Sequence, residues 1–227
     1  MFPNKEDSFP SNVAAQKPVL FVGVTRPSKN LTLLPIVPMK IVGNGGIIME
    51  VYGLLDQGSE ATLIDQRPAD ELGLEGNISQ TQFHTFHNRD PVINFKEVSV
   101  IVTSLDQSSS FNLENCYTVP QLILAKRNFN WKDLQRQWPH LPDIELQDTA
   151  ADRVVILIGM DNPAAHRVFA SRYDRSKTKA PCAIQTPFGW CVTGPLHSVR
   201  SNYLRWNHLA IRNKPDLDVL FESDDCH

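Results

Sequence analysis

The sequence has little that would point to a membrane, a metal or a nucleic acid. No uninterrupted apolar run approaches the roughly 18 residues of a membrane-crossing helix. The four cysteines, Cys116, Cys182, Cys191 and Cys226, include no C-x-x-C pair, which argues against a zinc ribbon and against a dithiol redox motif. They read as buried free thiols, with Cys226 in a terminal tail. Charge of one sign is missing too: 22 Lys+Arg stand against 25 Asp+Glu, a net charge of −3. That balance gives no electrostatic reason to expect nucleic acid or an anionic membrane as partner. The first residues, Met1 to Asp7, carry no apolar signal-peptide core, so a cytosolic setting is the expectation. Gly43-Asn44-Gly45-Gly46 is not a phosphate loop, because no lysine and no helix follow it.

What is present is a core and many turns. Hydrophobic residues make up 41% of 227, enough to fold one domain, and 16 prolines against 11 glycines argue against an all-helical bundle. Residues 1–31 are polar and proline-broken around one apolar patch at Val19 to Val22. They read as a flexible leader with at most one strand. Leu34 to Val42 and Ile47 to Leu55 are apolar runs on either side of Gly43-Asn44-Gly45-Gly46, a hairpin signal, since Asn and Gly accept positive φ. Ala61 to Ile64 predicts a short buried strand. Asp65 to Leu72 predicts a short helix capped by Asp65, with Pro68 in its first turn and Gly73 at its end. Val98 to Val102 and Arg153 to Ile158 predict further strands, and Thr186 to Pro195 another with turns at both ends. Trp131, Leu134 and Trp138 share one face of a predicted helix over 130–138 that Pro139 ends. A second helix is expected from about Asn162 to Ser171. Residues from about 105 to 150 read as an irregular insertion and 197–227 as a polar tail. The class is mostly β with two or three short helices.

One turn could carry chemistry. Asp56-Gln57-Gly58-Ser59 lies between an apolar strand that ends at Leu55 and the short strand after Ala61. A carboxylate at the mouth of such a turn projects from the sheet. Gly58 lets the backbone turn sharply, and Ser59 can donate a hydrogen bond to a carboxylate oxygen. Two such turns face to face would hold two carboxylates too close for both to ionise, leaving one acid and one base. That pair can activate water against a peptide carbonyl. The same four residues also satisfy an ordinary β-turn, which favours Asp and Gly for backbone reasons alone.

Further blocks add to the turn. Leu34-Pro35, the hairpin, Leu54-Leu55-Asp56-Gln57-Gly58-Ser59 and Leu72-Gly73-Leu74 resemble the retropepsin-like aspartic peptidase domain of BEL/Pao-type retrotransposon polyproteins. So do Ile156-Leu157-Ile158-Gly159-Met160-Asp161 and the block Thr186 to Pro195. The resemblance spans residues 32–196. It implies an acid-protease β-barrel lobe, one Asp turn per chain, and an active site completed across a homodimer. It also implies Asp56 as catalytic residue, Gln57, Gly58 and Ser59 as the active-site turn, and Leu157, Ile158 and Gly159 as the apolar element behind it. The expected function is an aspartic endopeptidase of retroelement type acting on a polypeptide, with no metal or organic cofactor.

The chain departs from the family pattern at Gln57, where the family has Ser or Thr, and its candidate flap, residues 82–89, has no glycine. These departures motivate the alternative of a catalytically degenerate lobe kept as a structural or interaction domain. Other motifs read as background. His84 and His87 have metal-ligand spacing only in a helix and no third ligand nearby; they are taken as a solvated loop. His166 is expected on a helix surface. The sequons at Asn30 and Asn77 are taken as chance matches.

Overall fold

The structure is a computed structural model that describes residues 19–22, 31–81, 84–85, 88–89, 93–122, 130–177, 179–196 and 209–212. Its strands in chain order are β1 (Val19–Val22), β2 (Leu31–Leu33), β3 (Ile36–Val42), β4 (Ile48–Leu55), β5 (Leu63–Asp65), β6 (Gly76–Thr81), β7 (His84–Thr85) and β8 (Asn88–Arg89). They continue with β9 (Ile93–Thr103), β10 (Ser110–Val119), β11 (Val154–Ile158), β12 (Ala170–Arg172), β13 (Cys182–Thr186), β14 (Gly189–Leu196) and β15 (Leu209–Arg212). Two α-helices, α1 (Gln66–Glu71) and α2 (Trp131–Gln137), complete the set with two short 3₁₀ turns.

The predicted hairpin forms as read. β3 and β4 pair antiparallel from Ile36↔Leu54 to Val42↔Ile48, and the connection puts Gly45 at φ 68° and Gly46 at φ 80°, where a Cβ would be strained. Pro38 has no N–H to give a ladder, and it lies where β3 has β4 as its only neighbour, because β9 joins β3 only from Lys40.

Strand order β10-β5-β11-β4-β3-β9, closed by the β9–β10 pairing, makes a six-strand barrel. This is the mostly β barrel lobe expected from the sequence. β6 extends the sheet on the outer half of β9. Inside the barrel Met39, Ile41, Val51, Leu55, Ile64, Val100, Val102, Leu113, Ile156 and Ile158 form one continuous core. All five residues of β11 are buried, as an unbroken apolar run should be when both faces are covered. Val154 and Leu157 face a second core with Tyr52, Leu54 and Leu63.

β4 and β5 are consecutive in the chain, yet they are not neighbours. β11 returns about a hundred residues later and inserts between them, parallel to β4 and antiparallel to β5. The loop from Asp56 to Thr62 therefore crosses over the end of β11.

Several expectations are corrected. β10 is a barrel wall strand, so residues 110–119 are not irregular as expected; polar Ser110, Asn112, Glu114 and Asn115 hide a ladder that β9 supplies. α2 forms where predicted, capped by the Asn130 side chain, which accepts from the N–H groups of Lys132 and Asp133. Trp131 and Trp138 pack with Leu33, Ile144, Ala183 and Val192, on the separate sheet β12-β13-β14-β2. The single strand expected over Thr186 to Pro195 is the second arm of a hairpin, with its turn at Pro187-Phe188 and Gly189 at φ 100°. The helix expected from Asn162 to Ser171 is only a 3₁₀ turn, Pro163–His166. Arg167 is extended, and the Phe169 N–H goes to the Gln185 carbonyl, so pairing with β13 ends it. Asp65 does not cap α1; its carboxylate accepts from the Leu122 N–H and the Arg153 guanidinium.

β1 and β15, one from each terminal stretch, pair with each other. β7 and β8 form a small hairpin. His87, Cys226 and the Asn30 sequon lie outside the described residues.

Candidate active site

Asp56 is the first residue past β4, and its backbone is held from behind. Its N–H donates to the carbonyl of Ile158 at 2.9 Å, so the last residue of the inserted strand fixes where the turn starts. The side chain is buried, at 7% exposure. Oδ1 accepts from the Gly58 N–H at 2.9 Å. Among the described residues Oδ2 receives no hydrogen bond and Asp56 has no ion-pair partner. Nor is Oδ2 one of the fully buried atoms left without a partner, so it reaches solvent. The turn thus presents one carboxylate oxygen outward and secures the other.

Gly58 and Ser59 both belong to this turn, but Ser59 does not do what the sequence suggested. Its hydroxyl donates to the Ala61 carbonyl at 2.7 Å and accepts from the Ala61 N–H at 3.3 Å, which rigidifies the loop and leaves the carboxylate alone. The Ser59 N–H reaches the Asp56 carbonyl at 3.3 Å, closing the turn. Gln57 is exposed.

Leu157, Ile158 and Gly159 lie directly beneath. Leu157 pairs with Leu54 on one side and Leu63 on the other, and Ile158 with Leu55. Gly159 is required by contact: a Cβ there would stand 2.5 Å from the Ala61 carbonyl oxygen. The close approach of the two segments needs a residue with no side chain.

Sequence reasoning missed the residues that lock the turn to β11. Thr62, fully buried, donates from Oγ1 to Asp161 Oδ1 at 2.8 Å, and its N–H donates to Asp161 Oδ2 at 3.0 Å. The same Oγ1 accepts from the Gly159 N–H at 3.1 Å and from Asn162 Nδ2 at 2.9 Å. The Met160 N–H donates to the Ser59 carbonyl at 2.8 Å. A signal existed. Thr62 is a hydroxyl inside the apolar run Ala61 to Ile64, and a buried polar group needs a partner.

His166 is also buried, contrary to the surface placement expected for it. Its Nε2 meets the Gly159 carbonyl at 2.9 Å, because the 3₁₀ turn folds the ring under the loop where a helix would have carried it away.

Burial, reinforced by the charge of Asp161, pushes the Cys116 thiol up to about 12, which keeps it from acting as a nucleophile. Among the described residues no three His, Cys, Asp or Glu side chains cluster as a metal site would need, and no helix is long and apolar enough to cross a membrane.

No family model and no curated protein matches the chain. Among solved structures, the crystal structure of a retropepsin-like aspartic protease from Rickettsia conorii is similar, with 11% identity over 72% of this chain and 92% of that one and a TM-score of 0.30.

Proposed function

We propose that the chain is an aspartic endopeptidase of retroelement type, with Asp56 as its catalytic carboxylate and a second copy of the chain supplying the other Asp56. The observation that carries this reading is the Asp56 carboxylate itself: buried, uncompensated by any cation among the described residues, fixed through Oδ1 and open at Oδ2. A largely buried carboxylate held by one backbone N–H and left without a counter-charge is placed for chemistry, not for a structural ion pair.

One turn per chain makes the site half of a symmetric pair. Two Asp56 groups brought together would share a proton. The ionised one takes a proton from water as the water oxygen attacks the peptide carbonyl carbon. The protonated one gives its proton to the carbonyl oxygen. Collapse of the resulting gem-diol sends a proton to the amide nitrogen and breaks the C–N bond. The substrate class is an extended polypeptide, and processing of a retroelement polyprotein is the setting that the sequence resemblance supports.

A second reading has its own observation. Gln57 is exposed and lies beside Asp56, where a symmetric partner would approach, and its longer side chain favours a lobe that no longer pairs tightly. The test is peptide cleavage and its block by a pepstatin-type inhibitor in the wild type and in Asp56→Asn. Asparagine keeps an Oδ1 acceptor for the Gly58 N–H, so the variant should fold normally and lose all cleavage. A folded, monomeric wild type without cleavage would favour the degenerate lobe.

A further inference from the structure

His166 closes the 3₁₀ turn Pro163–His166 and is buried to 8% exposure. One ring nitrogen, Nε2, contacts the Gly159 carbonyl oxygen at 2.9 Å. The other, Nδ1, is fully buried and has no partner among the described residues. A carbonyl oxygen only accepts, so Nε2 carries the hydrogen that faces Gly159. The ring is therefore held with its Nε2–H on that carbonyl.

The Gly159 carbonyl is well placed to transmit that restraint. Gly159 follows Ile158, whose carbonyl receives the Asp56 N–H at 2.9 Å. Its own N–H goes to Thr62 Oγ1 at 3.1 Å, and the next residue, Met160, donates to the Ser59 carbonyl at 2.8 Å. The Asn162 N–H shares the same Gly159 carbonyl at 3.2 Å. Gly159 has no side chain to hold it, so its peptide is oriented by these hydrogen bonds and by its close packing on Ala61.

We propose that His166 is a positioning residue for the Asp56 turn: its ring, through Nε2–H, holds the Gly159 peptide against which that turn is registered. The effect on catalysis rests on the reading of Asp56 as the catalytic carboxylate; the effect on the turn does not. A leucine would fill much of the ring's volume, removing the bond to Gly159 and with it the restraint. A glutamine can place an amide N–H near where Nε2 stands and should restore it.

Three measurements on the full chain test this. Nitrogen NMR of the wild-type imidazole should report a hydrogen on Nε2; the Nδ1–H tautomer would overturn the proposal, whatever the variants do. In His166→Leu the amide protons of Asp56 and Met160 should exchange about tenfold faster, the loss expected for one hydrogen bond, with Val100 and Val102 unchanged. His166→Gln should stay within about threefold of the wild type at the same amides. Equal exchange at Asp56 and Met160 in all three proteins would overturn the proposal, as would uniform acceleration that includes Val100 and Val102. With cleavage in hand, His166→Leu should lower kcat about tenfold and leave KM within about twofold. An inert wild type would count against the peptidase reading, and the tautomer and exchange results would still decide the role of His166.

Discussion

Thr62 and Asp161 are 99 positions apart in the chain and are joined by two hydrogen bonds, hydroxyl to Oδ1 at 2.8 Å and N–H to Oδ2 at 3.0 Å. The Asp56 turn and the end of β11 are therefore one mechanical unit. Asp161 takes both donors of Thr62, while the Thr62 hydroxyl takes Gly159 and Asn162.

Breaking this unit should be costly. Thr62→Val keeps shape and the backbone N–H bond to Asp161 Oδ2, but strands the buried Gly159 N–H and removes the hydroxyl's bonds to Asn162 and Asp161 Oδ1; a loss of about 2 kcal/mol is expected, against under about 1 kcal/mol for Thr62→Ser. Urea denaturation midpoints of the two variants check it.

Gly159→Ala should fail for a steric reason. Its Cβ would sit 2.5 Å from the Ala61 carbonyl oxygen, so the turn must lift from β11, at a cost of about 2 kcal/mol or more. Gly45→Ala meets nothing within 4 Å and has only its φ of +68° against it, so about 1 kcal/mol is expected there. Thermal unfolding of both variants compares contact with backbone strain.

Asp65 makes stability depend on pH. Burial, opposed by the Leu122 N–H and by Arg153, raises its carboxyl from 3.8 to about 6. A folded-state value above the unfolded one means that the folded protein binds the proton more tightly. The associated stability is fully present below pH 3.8 and is lost as pH rises through about 6. The total is of the order of 3 kcal/mol from the width of that window. Asp65→Asn should flatten the stability profile between about pH 4 and 6. A slope in that window equal to the wild type's would refute the assignment.

Gln57 governs assembly in the proposed dimer. A long exposed side chain beside a tight symmetric contact costs packing and rotamer freedom, so the wild-type dimer should be weak. Gln57→Thr should tighten it and raise cleavage together. Sedimentation across a concentration series distinguishes this from a Gln57 amide that bridges to the partner, for which the two proteins would associate equally.

Periodicity and turn chemistry made much of the lobe legible in advance. The apolar runs on either side of Gly43-Asn44-Gly45-Gly46 were set to pair with each other, since the intervening residues accept positive φ and the register follows from the turn. Val154 to Ile158 announced a strand buried on both faces, because no polar residue interrupts it. Asn130, Trp131, Leu134 and Trp138 carried the cap and the face of α2. Asp56 stood out as a carboxylate at the junction of an apolar strand and a Gly-containing turn.

Long-range partners had no such local signature. β10 was hidden because its exposed Ser, Asn and Glu residues read as irregular until β9 lies beside it. Asp65 looked like a helix cap, the commonest local use of an Asp before a helix, and was instead taken by Leu122 and by Arg153, 88 positions away. His166 looked like a surface residue because the helix expected around it would have faced it outward. Local propensity acts over a few residues and sets strands, turns and caps. Which buried polar group meets which depends on where the closed barrel brings distant segments together. In this chain Thr62, Asp161 and His166 were assigned only by β11 inserting between β4 and β5.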